Sequence, residues 1–215
     1  MEKQISSLVI NRLPRYFRYL GDLLSNGVER ISSKELSEKM NVTASQIRQD
    51  LNFFGSFGQQ GYGYNVEHLY NEIAVILGIK NQYKAILIGA GNMGQALIQN
   101  TTFEKRGFKL IGIFDNDPNK IGKEIRGMKI LDANDIKSFI EENQPTMAII
   151  STPRTVVNQV VKNLKDCGIH AFLNFSYAEI AYDDDVVVEN IHLSDSLMRL
   201  CYKISARNEN KKNKI

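Results

Sequence analysis

The sequence predicts an α/β chain: an N-terminal winged helix-turn-helix unit, a doubly wound parallel sheet of Rossmann type, and one terminal helix. Three observations carry that prediction. After Lys80-Asn81-Gln82, short β-branched runs alternate with helical patterns, as in a parallel sheet covered by helices. Before that point the chain holds amphipathic helical stretches and one Gly- and aromatic-rich turn. At the start of the second regime an apolar run enters a Gly-x-Gly-x-x-Gly turn that opens a helix. The expected boundaries are residues 1–80, residues 81–191, a helix over 192–206, and a polar tail over 207–215 expected to be disordered.

In the first unit, Pro14 opens a helix whose apolar face is Tyr16, Phe17, Leu20, Leu23 and Leu24, and which stops before Gly27. Ser32-Ser33-Lys34-Glu35 has the form of a capping box, and Leu36 and Met40 give a short second helix its inner face. Asn41-Val42 is the turn. Thr43-Ala44-Ser45-Gln46 is a second capping box, and Ile47, Leu51 and Phe54 lie at i, i+4 and i+7 on a third helix. With those three inward, Ser45, Gln46, Arg48, Gln49 and Asn52 lie on polar faces. Short residues at the start of that helix suit entry into a major groove. Arg48 and Gln49 are therefore the candidates for base edges, and Ser45 and Gln46 for the phosphate backbone.

Residues 55–64 read as a hairpin wing, with Gln59, Gln60, Gly61 and Tyr62 as further DNA-contact candidates, and a helix over 67–77 closes the unit. Small three-helix units without a DNA role share this pattern. Residues 1–80 carry nine basic and eight acidic residues, so charge alone does not separate the two readings.

In the second unit, strands are expected over 85–88, 109–114, 129–131, 147–151, 171–174 and 186–189, with helices over 94–102, 135–142 and 156–167. The terminal helix carries Leu193, Leu197, Leu200, Cys201 and Ile204 on one stripe. It has no further strand to return to, so it must cover its own sheet or another subunit, and a homodimer contact is favoured.

The glycine turn carries the chemistry. Gly89 permits the sharp turn, Gly91 lets backbone N–H groups approach a pyrophosphate, and Gly94 lets the helix pack close to its strand. Ala90, Asn92 and Met93 complete the loop, and the helix N-terminus supplies partial positive charge. The next apolar run ends at Asp115, about 20 residues on, where an acid accepts hydrogen bonds from both hydroxyls of an adenine ribose and repels a 2′-phosphate. That favours NAD(H) over NADP(H). Thr152 and Pro153, at the carboxyl end of a later strand, are expected to line the cleft. Tight strand-to-helix turns also use glycine for structure alone; strand, helix and acid in register are what point to a nucleotide.

Composition bounds the rest. The chain has 215 residues, 43% hydrophobic and 24% charged, with a net charge of +3, which permits nucleic-acid binding without arguing for it. No apolar stretch reaches the roughly 18–20 residues of a membrane span, and residues 1–7 lack signal-peptide organisation. Cys167 and Cys201, far apart and without Cys-x-x-Cys spacing, read as reduced, packed thiols of a cytoplasmic protein. No metal site is expected.

The run Ala44-Ser-Gln-Ile-Arg-Gln-Asp-Leu-Asn-Phe-Phe-Gly-Ser-Phe-Gly-Gln-Gln-Gly-Tyr-Gly-Tyr-Asn-Val66, followed by the glycine turn, resembles the Rex family of redox-sensing transcriptional repressors. The resemblance extends from about Arg12 to Ser205 and includes Leu13-Pro-Arg-Tyr16 and Ile149-Ile-Ser-Thr-Pro153. It implies a cytoplasmic homodimer whose C-terminal helix is exchanged between subunits. Such a dimer holds a palindromic operator when NADH is scarce and leaves it when NADH binds.

Several positions depart from the family pattern. Gln49, Gln59 and Gln60 stand where basic residues are usual, Asn100 and His192 where a tyrosine and an aspartate form part of the switch, and Tyr177 where a proline is usual. Gln49 suits adenine rather than guanine. Asn100 and His192 put discrimination between NADH and NAD+ in question, so a DNA-binding paralogue with altered sensing is the second reading. An NAD-dependent dehydrogenase is a remote third. His192 is its one plausible acid/base, His170 reading as half-buried structure and His68 as helix surface, and a single helix after the sheet leaves no substrate domain. A nucleotide- or CoA-binding scaffold without DNA function is a further alternative.

Overall fold

The computed structural model describes residues 6–52, 58–59, 62–99, 103–180 and 185–212. The chain divides into two compact units, Met1–Asn81 and Gln82–Ile215.

The first unit runs α1 (Ser7–Ile10), α2 (Leu13–Ser25), β1 (Arg30–Ile31), α3 (Ser33–Met40), α4 (Ala44–Asn52), β2 (Gly58–Gln59), β3 (Gly63–Asn65) and α5 (Val66–Ile76). Pro14 sits in the first turn of α2. Ser32 caps α3 in a complete capping box: its hydroxyl accepts from Glu35 N–H at 3.1 Å, and the Glu35 carboxylate accepts from Ser32 N–H at 2.8 Å. Asn41 ends that helix in the left-handed region, φ +53°, which an Asn tolerates better than most residues. The second expected box is only half made. Thr43 accepts from Gln46 N–H at 3.1 Å, but the Gln46 side chain turns to Asp50 instead of back to its cap.

Leu13, Tyr16, Leu20, Leu36, Met40, Ile47, Leu51, Leu69 and Ile73 are buried together, and Phe17 stacks on Tyr70 at 4.2 Å between ring centres. The closing helix α5 thereby lies on α2. The wing is a short antiparallel ribbon in the order β1-β3-β2, with Ile31 opposite Tyr64 and Gln59 opposite Gly63. Phe54, Gln60 and Gly61 lie outside the described residues.

Among these apolar residues sits a fully buried acid, Asp50. Its two oxygens accept from Arg12 Nε and Nη2 at 2.6 and 2.7 Å, Tyr16 OH at 2.7 Å and Gln46 Nε2 at 2.8 Å. Burial alone would raise the carboxyl pKa; the donors and the Arg12 charge outweigh it and hold the group below the ordinary carboxylate range. Burial also pushes the Tyr16 phenol up, and its bond to Asp50 adds to that.

The second unit runs β4 (Tyr83–Ile88), α6 (Asn92–Gln99), β5 (Phe108–Asp115), β6 (Glu124–Ile125), β7 (Met128–Asp132), α7 (Ile136–Asn143), β8 (Met147–Ile150), α8 (Val157–Asp166), β9 (Ala171–Asn174), β10 (Val187–Asn190) and α9 (Leu193–Lys212). The sheet order is β10-β9-β8-β4-β5-β7-β6, parallel except for β6 against β7. Strand period two divides β4 cleanly: Ile86 and Ile88 enter a core with Phe114, Ile150 and Val161, while Ala85 and Leu87 enter one with Ile98, Ile113 and Ile149. Helices on both faces cover these two layers. The sequence predicts no β6; the Arg126-Gly127 pair, with φ +51° and +77°, makes the hairpin to β7.

Two expectations about the end of the chain need correction. The helix does not stop at 206; it continues to Lys212, because Ala206 and the Arg, Glu and Lys residues after it are strong helix formers with no Gly or Pro among them. Cys201 is not packed but exposed on that helix, whereas Cys167 is half-buried. The α9 stripe does not cover its own sheet, since Leu193, Leu197, Leu200 and Ile204 are 58%, 63%, 52% and 51% exposed. Among the described residues no helix is long and apolar enough to cross a membrane.

The Asp50 network sets a testable stability. Asp50→Ala is expected to lower unfolding free energy by ~3–5 kcal/mol, the usual result of stripping one partner from a buried ion pair, read from the urea midpoint. Because the folded pKa lies below the unfolded value of about 3.9, this contribution is complete above that value and disappears as pH falls through the folded pKa. The native protein should therefore lose stability in that acid range more steeply than Asp50→Asn does.

Candidate dinucleotide cleft and recognition helix

Strand order reverses beside β4, whose neighbours are β5 and β8, and the carboxyl ends of these strands open into a cleft of about 800 Å³. Gly89 leaves β4 with φ +96°, and a Cβ there would stand 2.7 Å from the Ser151 carbonyl oxygen. A Cβ on Gly94 would fall on the Gly89 carbonyl oxygen, well inside contact distance. Gly91 differs, as nothing lies within 4 Å of its would-be Cβ. The first and last glycines close the turn against the protein, and the middle one faces open space where a pyrophosphate needs the backbone bare. Ser151 Oγ locks the same turn by donating to the Gly89 carbonyl at 2.7 Å.

Asp115 is buried at the end of β5. It accepts from Ala90 N–H at 2.7 Å, Asp117 N–H at 2.9 Å and Lys120 Nζ at 3.1 Å. Burial raises its pKa; the N–H groups of Asp117 and Ala90, with Lys120, overcome that and hold it below the ordinary carboxylate value. Three of a carboxylate's roughly four acceptor positions are thus taken. The acid that sequence reasoning assigns wholly to a ribose also clamps the glycine turn, and Lys120 beside it offsets its charge. Lys120 also lies 3.7 Å from Asp117.

Across the cleft, Thr152, Pro153, Tyr177 and His192 join Asn92 and Met93 in the lining. The Thr152 hydroxyl is buried without a partner, which a bound polar ligand would remedy. An open Gly91, a helix N-terminus at α6, a buried acid at the end of β5 and an orphaned hydroxyl fit a dinucleotide. Asn100 lies outside the described residues. His170 is exposed, 3.2 Å from Asp185, and takes no part in the cleft. Among the described residues no group of three or more His, Cys, Asp or Glu is placed to hold a metal.

On α4, Ser45, Arg48 and Gln49 are exposed and Gln46 is half-buried. Arg48 is tethered by two hydroxyls, Ser33 Oγ and Ser45 Oγ, each at 3.1 Å. Tyr62 is exposed at the wing, and its carbonyl accepts from Arg30 Nη1 at 3.3 Å, with the guanidinium 6.0 Å from the ring centre. Sequence reasoning misses Arg30, Asp50 and Lys120. Asp50 alone left a signal, falling at i+3 from Ile47 on the inner face.

Residues 4–52 match the family described as Putative DNA-binding protein N-terminus, and residues 80–178 match the CoA binding domain family. Fold and cleft together define a class: a helix-turn-helix DNA reader joined to a Rossmann-type nucleotide unit. The redox-sensing transcriptional repressor Rex of Thermoanaerobacter pseudethanolicus is 52% identical over 202 residues, covering 94% of this chain and 90% of that protein. A crystal structure of RSP in complex with β-NAD+ and operator DNA superposes with a TM-score of 0.88 at 50% identity, covering 99% of this chain and 98% of that one. RSP in complex with β-NADH gives 0.88 at 48% identity, covering 97% and 98%. The chain belongs to the Rex family of redox-sensing transcriptional repressors.

The glycine geometry separates two variants. Gly94→Ala should lower the melting temperature by several degrees, since overpacking costs roughly 1–3 kcal/mol. Gly91→Ala should melt like the native protein, because its side chain enters open space. Differential scanning calorimetry without ligand checks both.

Proposed function

We infer that this chain is a redox-sensing transcriptional repressor: a cytoplasmic homodimer that binds operator DNA through α4 and the wing and releases it when NADH fills the cleft. One observation carries the reading. A single chain joins a dinucleotide-shaped cleft, with its open Gly91 and orphaned Thr152 hydroxyl, to a helix-turn-helix whose polar face is exposed, along a sequence about half identical to Rex over nearly its full length. Its role is regulatory and not enzymatic. The CoA-type domain match is compatible with NAD(H), since both ligands carry an adenosine diphosphate half.

Asp115 and Lys120 face the adenine ribose, the N–H groups of Gly91–Gly94 and the α6 N-terminus take the pyrophosphate, and Thr152, Pro153, Tyr177 and His192 surround the nicotinamide half. The exposed stripe of α9 is the natural subunit contact, because four large apolar side chains in water favour burial against a second copy. Dimer symmetry places two α4 helices on half-sites about one helical turn apart. Ser45 and the wing residues Gln59, Gln60, Gly61 and Tyr62 hold the phosphate backbone, while Arg48 and Gln49 read bases. NADH acts by binding the DNA-incompetent arrangement more tightly than the competent one.

His192 and Tyr177 both line the cleft, and on this reading the departures from family pattern there bear on how oxidised and reduced nicotinamide are told apart. Weakened discrimination is the second reading.

Operator affinity measured by fluorescence anisotropy should fall roughly 5- to 150-fold with saturating NADH, the span of ordinary coupling energies, and change little with NAD+. Equal affinity in all three conditions would refute sensing; equal loss with both nucleotides would establish the second reading. Separately, the Gln49 position of each half-site should favour adenine, and Gln49→Lys should move that preference to guanine by about tenfold, measured by competition among duplexes that differ at one base pair.

A further inference from the structure

Gln46 and Asp50 stand one turn apart on α4, and the Gln46 amide nitrogen donates to Asp50 Oδ1 at 2.8 Å. The ionised carboxylate only accepts, and its other donors come from Arg12 and Tyr16, so the amide cannot turn over without setting oxygen against oxygen. Its orientation is fixed by the protein. Among the described residues the Gln46 carbonyl oxygen has no partner, and Asp50 takes only one of the amide's two N–H groups. The residue lies in the first turn of the helix that enters the groove, the part from which side chains reach base edges.

A phosphate presents acceptors alone, so it could take the remaining N–H but would leave the carbonyl oxygen unpaired. Adenine presents the complement: an N6 amino group for the carbonyl and an N7 acceptor for the remaining N–H. We propose that Gln46, its amide oriented by Asp50, reads an adenine in the major groove and is not a phosphate contact. This rests on the DNA-reading role above and adds a specificity-determining residue to it. Asp50 is the positioning residue. Gln49, three residues on, addresses a separate base pair.

The test uses the full-length chain. Duplexes are selected from a random-core library, and affinities are then measured with every base pair at each half-site position. Native protein is compared with Gln46→Ala and Gln49→Ala. One position should favour adenine by roughly tenfold or more, lose that preference in Gln46→Ala, and keep it in Gln49→Ala. Replacing that adenine with 7-deazaadenine should weaken the native protein and leave Gln46→Ala unchanged, a readout that needs no altered protein for its first arm. A uniform loss across all sequences in Gln46→Ala, no loss, or a preference for another base at the affected position overturns the proposal. Should the native chain select no sequence at all, the DNA-reading role itself falls, and this inference with it.

Discussion

Burying the Asp50 carboxylate among Leu and Ile side chains would cost several kcal/mol if it were unpaired. Four donors meet it, drawn from two segments distant in sequence: Arg12 at the N-cap of α2 and Tyr16 in its first turn, and Gln46 from α4 itself. Apolar packing of Ile47 and Leu51 sets the depth of α4, but packing is tolerant of small rotations. A bidentate guanidinium and a phenol converging on one carboxylate are not, because each bond has its own direction. The polar face of α4 is therefore held in angle as well as position, and that face is the one assigned to DNA.

The second unit repeats this device. Asp115 is also a nearly buried acid, and it too is tied to its surroundings by several donors, here two backbone N–H groups and Lys120. One of those N–H groups belongs to Ala90, inside the glycine turn. The charge at the end of β5 and the shape of the loop after β4 are thus parts of one structure, which makes the cleft stiff before any ligand enters. A rigid cleft limits the entropy lost on binding.

Much of this was legible beforehand for a definite reason. The glycine turn, the strand before it and Asp115 obey fixed spacing, since backbone approach and ribose position leave little freedom. Ser32 and Glu35 announce the start of α3 by local chemistry alone. What escaped depends on contacts across the chain or on loops. Position 50 could be placed on the inner face by its distance from Ile47, but its partner Arg12 lies 38 residues away. Lys120 reaches Asp115 only because of the turn at 117–120, and the β6–β7 hairpin rests on a positive φ at Arg126 that no pattern encodes. The polar composition after residue 206 hides the last turns of α9, because Arg, Glu and Lys suit a helix as well as a solvated tail.

The α9 segment has a thermodynamic implication. Its exposed apolar stripe gains little from the chain's own sheet, so its solvation free energy is recovered on association. In the homodimer proposed above, assembly and cofactor response are linked equilibria, and total abundance enters alongside the cofactor. Gene control by that dimer would then depend on how many copies a cell maintains.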